Sequence, residues 1–210
     1  MLDIATFILG PVETNAYLVA DSLVDEAVVI DPAWDGSVIV NEARRRNCSI
    51  VGIWLTHAHF DHLAGVAAIV DAVDPKPPIA LHPQDLPLYK MQGGAPFFGM
   101  HIDPAPIPTV SLTHGGVLQV GSYKLEVRHA PGHTPGHVVF YCETERIAFC
   151  GDVIFMRGIG RTDLPGGSYR TLIESIHSQI LTLPDETRLL SGHGPETTVG
   201  EERVGNPFLI

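Results

Sequence analysis

A seven-residue segment with four metal-competent side chains constrains the fold of this chain more than any other feature. The segment reads THAHFDH, spans residues 56–62, and directly follows the apolar run VGIWL. His57 and His59 are two positions apart, so their side chains project to the same side of an extended backbone. Asp61 and His62 follow where a helical pattern begins, and adjacent side chains there point in different directions. Because one tetrahedral zinc ion rarely takes four ligands from one short loop, the segment favours two neighbouring metal ions.

Further imidazole and carboxylate groups stand just after later strand-like segments. His133 lies in PGHTPGH, Asp152 follows the apolar run that ends at Cys150, and His193 lies in SGHGP. Glycines beside these positions allow close approach of the backbone. Open α/β sheets bind ligands at the ends of their strands, so we expect these residues to join the 56–62 segment at one sheet edge. Such nitrogen and oxygen ligands suit zinc, iron or manganese.

Strand-like and helix-like segments alternate along the chain, which indicates an α/β fold. Strands are predicted at residues 15–20, 27–30, 51–55, 124–128, 138–142, 146–150 and 188–190. Helices are predicted at 36–46, directly after the 56–62 segment with Asp61 as its cap, and at 169–181. The proline- and glycine-rich stretch 75–108 is expected to form a long, partly irregular surface segment.

Composition and charge exclude several classes of protein. Of the 210 residues 45% are apolar and 18% are charged, which is typical of a folded globular chain. The formal net charge of −11 argues against general affinity for nucleic acid or anionic membranes. Cys48, Cys142 and Cys150 are too few and too scattered for a disulfide framework, and we expect neither a signal peptide nor a bilayer-spanning apolar run. We therefore expect a soluble, cytoplasmic protein.

The ordered pattern HxHxDH followed by His, Asp and His resembles the metallo-β-lactamase superfamily. Within it, the chain is most similar to the short bacterial glyoxalase II-like (hydroxyacylglutathione hydrolase-like) metallohydrolases. The supporting stretches are PGHTPGHVVFY, GDVIFMRGIGRTDLPGGSYRTL and GHGPETTVGEERVGNPFL. The resemblance implies an αββα sandwich formed as one domain by residues 1–210, with the metal site at one edge of the two sheets.

The resemblance also implies a ligand set for two divalent metal ions, with zinc as the first choice and iron or manganese also accepted. The first ion would be held by His57, His59 and His133, the second by Asp61, His62 and His193, and Asp152 would bridge the two. Two such ions about 3.5–4 Å apart convert a shared water into a hydroxide that attacks a carbonyl. Asp152 would then set the spacing of the ions, and Asp61 would offset the charge of the second.

The implied substrate is a thioester, S-D-lactoylglutathione, which would give D-lactate and glutathione. Larger members carry a C-terminal helical domain that holds glutathione, and no segment of this sequence resembles it. Arg161 stands where those members place a lysine toward the glycyl carboxylate, so it either contacts substrate or is a solvated surface residue. Asp163 replaces their tyrosine. We therefore expect glutathione to be held loosely, or another thioester to be the substrate.

Other functions and roles remain open at this stage. A persulfide dioxygenase would use one iron ion held by His57, His133 and Asp152, and a lactonase, a β-lactamase or a non-catalytic metal-binding protein are further alternatives. His137 is interpreted as a hydrogen-bonding neighbour of the site and Cys150 as a buried free cysteine. The remaining histidines are interpreted as core or surface residues: His82, His101, His114, His129 and His177.

Overall fold

The computed structural model describes residues 2–209 and contains two six-stranded sheets. The first sheet contains, in spatial order, β1 (Leu2–Leu9), β2 (Thr14–Asp21), β3 (Glu26–Ile30), β4 (Ser49–Trp54), β5 (Ile79–Leu81) and β6 (Val110–Ser111). The first three strands pair antiparallel, and β3 to β6 pair parallel. The carboxyl ends of these parallel strands therefore meet at one edge of the sheet.

The second sheet is built from the later part of the chain. Its strands are, in chain order, β7 (Val117–Val120), β8 (Tyr123–His129), β9 (Val138–Cys142), β10 (Ile147–Gly151), β13 (Arg188–Ser191) and β14 (Thr197–Thr198). Between β10 and β13, the strands β11 (Ile154–Phe155) and β12 (Gly158–Ile159) form a separate hairpin. The spatial order is β14, β13, β10, β9, β8, β7, and β10 pairs parallel with β13. These two central strands also end at the same edge.

Helices cover the outer faces of both sheets. They are α1 (Gly36–Arg45), α2 (Phe60–Leu63), α3 (Val66–Ala72), α4 (Leu86–Lys90), α5 (Tyr169–Ser175), which continues as a π-helical segment at Ile176–Ile180, and α6 (Val199–Gly205). Short 3-10 segments lie at Pro83–Asp85 and Gln92–Phe98. Within residues 2–209, no helix has both the length and the apolar composition needed to cross a membrane.

Three layers of buried side chains confirm the predicted αββα sandwich. On β2, Leu18 packs toward α1 and α3, whereas Tyr17 packs between the sheets, as the two-residue period of a strand requires. The Tyr17 ring meets Phe149 of β10 edge-on, with 5.3 Å between the ring centroids. On the far side, Leu172 of α5 covers the second sheet. The first and last residues of the predicted 1–210 domain lie outside the described residues.

The predicted strands and helices are all present, and the unpredicted elements are short or lie at an edge. β1 was not predicted because it is an edge strand whose Asp3 interrupts the apolar pattern. β5 and β6 were not predicted either, because three and two residues are too few to show a period. The 75–108 stretch is partly irregular as predicted, but it also contains β5, α4 and a buried turn at residues 93–95.

The prediction that Asp61 caps the helix after the 56–62 segment is wrong. α2 begins directly after His59, which occupies the capping position without a side-chain hydrogen bond, and Asp61 lies inside the first turn. Its Oδ2 instead accepts a hydrogen bond from Thr14 Oγ1 at 3.0 Å. The predicted helix is also divided into α2 and α3, because the Gly65 amide donates to the Pro32 carbonyl across the fold.

Candidate metal centre

The sheet edge where the parallel strands end collects all the predicted metal ligands. The 56–62 segment follows β4, Asp152 follows β10 directly, and His193 comes two residues after β13. His133 lies in the loop that joins β8 to β9. Both sheets therefore contribute side chains to one place, as the strand-end positions in the sequence predict.

Three imidazoles converge at one side of this centre, which we call the first half: His57, His59 and His133. The distance from His59 Nδ1 to His57 Nε2 is 3.1 Å, and to His133 Nε2 it is 2.8 Å. Burial lowers the pKa of His57 well below its usual value and that of His59 to about 3. These rings are therefore neutral near pH 7, and their free nitrogen lone pairs are available to a metal ion.

The second half of the centre combines two imidazoles with a carboxylate: Asp61, His62 and His193. Asp61 Oδ2 lies 3.4 Å from His62 Nε2 and 3.3 Å from His193 Nε2. The His193 side chain is 28% exposed, whereas His62 is fully buried. This half therefore lies nearer to solvent than the first.

Asp152 lies between the two halves. Its Oδ1 is 3.3 Å from His62 Nε2 in the second half, and its Oδ2 is 3.5 Å from His133 Nε2 in the first. The Oδ2 atom also lies 3.6 Å from His193 Nε2. The carboxylate therefore reaches both groups of ligands at once, which is the geometry needed to bridge two ions.

Two observations show that this centre fits bound cations. The buried atoms His62 Nε2 and Asp152 Oδ1 form no hydrogen bond with any described residue, although buried polar atoms normally do. A Cβ added at Gly192 would collide with the Asp152 carboxylate and lie 2.6 Å from His62 Cε1. Glycine therefore keeps open the space between these unsatisfied groups, and nitrogen and oxygen donors of this kind suit divalent ions.

The carboxylates also make the second half electrostatically favourable for a cation. Burial alone would lower the pKa of His62, but Asp152, Asp61 and Asp31 outweigh it and raise that pKa well above its usual value. Burial would likewise raise the pKa of Asp61, and nearby His62 reverses this and lowers it to about 2. The same negative charge that stabilises a protonated His62 would stabilise a divalent ion in its place.

Asp31 supports the second half and was not predicted from the sequence. Its Oδ2 lies 2.9 Å from His62 Nδ1, which leaves Nε2 of that ring facing the centre. Asp31 also accepts hydrogen bonds from the amide and the hydroxyl of Thr56, at 2.7 and 2.6 Å. Since carboxylate partners orient metal-binding imidazoles, we interpret Asp31 as a positioning residue. Its place at the end of β3, the same edge as the 56–62 segment, was an available sequence signal.

Asp85 supports the first half and was also missed. Its Oδ2 accepts hydrogen bonds from the Ala58 amide at 3.0 Å and the Thr134 hydroxyl at 2.7 Å, and its Oδ1 accepts from the Gly136 amide at 2.6 Å. This buried carboxylate therefore ties the loop that carries His57 and His59 to the loop that carries His133. No local pattern in the sequence marks Asp85, because β5, which precedes it, has only three residues.

Asn15 holds the loop that carries His193. Its side-chain amide donates to the carbonyls of Ser191 and Gly194, both at 2.9 Å, and its backbone amide donates to Gly192 at 2.7 Å. The start of β2 in the first sheet therefore fixes a ligand loop of the second sheet. Asn15 was predicted only as a strand residue.

His137 and Cys150 have the roles interpreted from the sequence. His137 Nε2 accepts a hydrogen bond from the Asp152 amide at 3.0 Å, and its ring stacks on His57 with 4.7 Å between centroids. Cys150 is a buried free cysteine, and burial raises the pKa of its thiol. His137 thus holds Asp152 in place, whereas Cys150 packs in the core beneath α5.

Arg161 contributes to the centre through its backbone. Its carbonyl lies 2.7 Å from His133 Nδ1 and so orients that ring. The guanidinium forms two hydrogen bonds with the Asp163 carboxylate, each 2.8 Å long. The predicted contact between this guanidinium and a substrate carboxylate stays a prediction.

The other histidines lie outside the centre, as interpreted from the sequence. His101, His114 and His177 are exposed. His82 is buried and stacks on the half-buried His129, with 4.2 Å between the ring centroids. His82 and His129 are distant in the sequence, so only the fold shows that they form a pair.

Comparison with known proteins gives a consistent result. A family model described as the metallo-beta-lactamase superfamily matches residues 9–193, a range that includes every predicted metal ligand. The chain is 33% identical over 184 residues to a protein of Haemophilus influenzae named hydroxyacylglutathione hydrolase GloC, and the match covers 87% of each chain.

Two solved structures are similar over nearly their whole length. One is described as the BLEG-1 B3 metallo-beta-lactamase, with a TM-score of 0.92, 39% identity and coverage of 99% of each chain. The other is TTHA1623 in a di-iron-bound form, with a TM-score of 0.87 and 40% identity, covering 98% of this chain and 100% of that one. Both similarities include the two sheets and the loops at their common edge.

Proposed function

Because the chain belongs to the metallo-β-lactamase superfamily, we propose that it is a thioester hydrolase with a centre for two divalent metal ions. The proposed ligands are His57, His59 and His133 for the first ion, Asp61, His62 and His193 for the second, and Asp152 for both. Zinc suits this donor set, and so do iron and manganese. The di-iron form of TTHA1623, a similar chain, supports iron as an alternative to zinc.

The observation that carries this proposal is the position of Asp152. Its Oδ1 lies near His62 in the second half, its Oδ2 lies between His133 of the first half and His193 of the second, and the buried Oδ1 forms no hydrogen bond with a described residue. A single ion in the first half would leave Asp152 Oδ1, His62 Nε2 and the Asp61 carboxylate without a function. Two ions would satisfy all of them, so the arrangement supports a dinuclear centre.

The proposed ligands would hold two divalent ions, whose chemistry would be a lowered pKa of bound water and polarisation of the substrate carbonyl. The proposed catalytic residues of the chain itself are Asp152 and Asp61. Asp152, held by His137 through its amide, fixes the separation of the two ligand groups. Asp61, held by the Thr14 hydroxyl, supplies negative charge that offsets the second ion.

The proposed reaction is hydrolysis of S-D-lactoylglutathione to D-lactate and glutathione. Support comes from the relative of Haemophilus influenzae, whose name states hydroxyacylglutathione hydrolase activity. We also propose that residues 1–210 act as one domain and that the location is cytoplasmic, where the free thiols of Cys48, Cys142 and Cys150 would remain reduced.

A mononuclear iron persulfide dioxygenase is the alternative with a shared ligand set. It would use His57, His133 and Asp152, all of which are present. It leaves the second half, with its buried unsatisfied His62 Nε2, without a role. Other acyl substrates, including lactones and β-lactams, remain chemically accessible to the proposed hydrolase, and the similarity to the BLEG-1 structure supports including a β-lactam in the test.

The test is hydrolysis of S-D-lactoylglutathione by the purified protein, with metals counted on the same sample. Turnover with two metal ions per chain is the expected result. Two ions without turnover of this or any other thioester would contradict the proposed reaction. A single iron ion, together with oxygen consumption on addition of glutathione persulfide, would establish the dioxygenase instead.

A further inference from the structure

An apolar cavity of about 380 Å³ opens beside the first half of the metal centre. It lies between residues 84–98 and the loop at residues 164–166, and His59 forms part of its wall. Its apolar lining consists mainly of Leu88, Met91, Phe97, Phe98, Leu164 and Pro165. The cavity is therefore continuous with the place where the substrate carbonyl must lie in the proposed reaction.

The lining of this cavity does not suit a charged group. None of the side chains that line it, all of them within the described part of the chain, is a lysine or an arginine. Its carboxylate, that of Asp85, is buried and occupied by three hydrogen bonds. A glutathione carboxylate placed here would lose its hydration without gaining a cationic partner, which is strongly unfavourable.

Large apolar side chains at the mouth of the cavity are exposed. Met91, Phe97 and Phe98 are 52%, 66% and 46% exposed, and they lie at the two ends of the 3-10 segment Gln92–Phe98. Exposed clusters of this kind mark binding sites, because burying them against an apolar ligand removes their surface from water. The open position beside a metal centre favours part of the substrate as that ligand.

Resting on the proposed thioester hydrolase function, we propose that this cavity binds the acyl group of the substrate and favours an apolar acyl group over the hydroxyacyl group of S-D-lactoylglutathione, which would be a slower substrate of the same reaction. A thioester has an acyl side and a thiol side. The common thiol carriers, glutathione and coenzyme A, are anionic, so the apolar side is the acyl group. The volume lies at the small end of the range for ligand pockets, which suits an acyl chain of moderate length.

The first experiment compares glutathione thioesters that differ only in the acyl group: acetyl, D-lactoyl, butyryl and hexanoyl. Each methylene buried in the cavity should raise kcat/KM by about twofold to fourfold. The hexanoyl thioester should therefore exceed the acetyl thioester by at least about tenfold and should also exceed the lactoyl thioester. A flat or falling series with active enzyme would overturn the proposal.

A matched pair of variants tests the location of the acyl group. Leu164→Ser removes an apolar side chain from the cavity wall, and it should reduce the hexanoyl preference to about threefold or less. Leu23→Ser is the control, because Leu23 is 81% exposed in the turn after β2, at the end of that strand opposite to the centre. The control should keep the wild-type preference. An equal loss in both variants, or in neither, would contradict the location.

A binding measurement separates failure of this inference from failure of the proposed function. Calorimetry on the metal-loaded protein compares hexanoate with acetate, which are the product acids of two of the thioesters. Hexanoate should bind at least about tenfold more tightly, and Leu164→Ser should remove the difference. Tight hexanoate binding without cleavage of any thioester would overturn the reaction but keep the cavity. Equal binding of the two acids would overturn the apolar acyl site, whatever the turnover.

Discussion

The two halves of the metal centre rest on different buried aspartates. Under the first half, Asp85 accepts hydrogen bonds from Ala58 and Gly136 amides and so holds two loops together. Under the second half, Asp31 contacts the ring of His62 itself. The first half therefore depends on the placement of loops, whereas the second depends on the orientation and charge of one ligand.

Solvent access and charge also differ between the halves. The first half consists of buried neutral imidazoles, whereas the second contains Asp61 and the partly exposed His193. A cation in the first half would be stabilised mainly by nitrogen lone pairs, whereas a cation in the second half would also be stabilised by nearby negative charge. The two ions would therefore differ in exchange rate and in sensitivity to supporting residues.

The largest effect is expected from Asp152→Ala, because this change removes the contact between the halves. Turnover of the thioester should fall by about a thousandfold or more, since stabilisation by metal ions is worth several kcal/mol. Metal content, measured by elemental analysis, should fall below two ions per chain. Asp185→Ala is the control, because Asp185 is exposed and pairs with Arg203 away from the centre. An active Asp152→Ala variant with two ions would contradict the bridging assignment.

Removing one proposed ligand from each half should distinguish the two ions by their access to solvent. His59→Ala and His193→Ala are each expected to retain about one metal ion per chain and to lose about a hundredfold in turnover. The ion that remains in His193→Ala lies in the buried half, so a chelator should remove it more slowly than the ion that remains in His59→Ala. Equal removal rates would show that the two halves do not differ in solvent access.

The sequence predicted which side chains lie together in the two halves but only part of their support. The proposed ligands could be predicted because four of them lie in the single segment THAHFDH and the other three follow strands. A single rule about strand ends therefore brings them together. The role of Asp85 could not be predicted from the sequence, because its partners Ala58, Thr134 and Gly136 are 27, 49 and 51 residues away. Asp31 was overlooked, although the same strand-end rule applies to its position after β3.

The fold, like the centre, could be predicted only where residues that are close in the sequence carry the pattern. The buried strands show their apolar runs in the sequence, and the αββα arrangement followed from the family resemblance. The pattern did not reveal the edge strand β1 or the short β5 and β6, whose pairing depends on neighbours rather than on their own residues. The prediction that Asp61 caps the helix was wrong for a related reason. A hydrogen bond with Thr14, 47 residues away, replaces the local one.

Replacing either supporting aspartate with asparagine should lower the metal affinity of one half more than that of the other. Asp31→Asn removes the carboxylate beside His62, and Asp85→Asn leaves a donor of Ala58, Thr134 or Gly136 without its acceptor. Each change is expected to lower metal affinity by about 10- to 100-fold. Stepwise metal titration should show the loss in the rapidly exchanging ion for Asp31→Asn and in the slowly exchanging ion for Asp85→Asn. If both variants weaken the same ion, the division of support between the halves is wrong.

Arg161→Ala is expected to have the smallest effect, because only the side chain is removed. The carbonyl that orients His133 remains, so metal content and kcat should not change. The guanidinium is 54% exposed and already pairs with Asp163, and exposed ion pairs contribute at most about 1 kcal/mol. If it binds a glutathione carboxylate, KM for glutathione thioesters should rise by about fivefold at most.

The exposed Arg170, which pairs with Glu174 on α5, provides the matched control for this last prediction. Arg170→Ala should leave KM unchanged, because its ion pair lies on the helix surface. A KM that rises equally in both variants would reflect loss of general positive charge rather than a contact at the site. An unchanged KM in Arg161→Ala would limit this residue to its backbone contact with His133. The first half would then receive only structural support from this loop, and recognition of the substrate would rest on the apolar cavity beside His59.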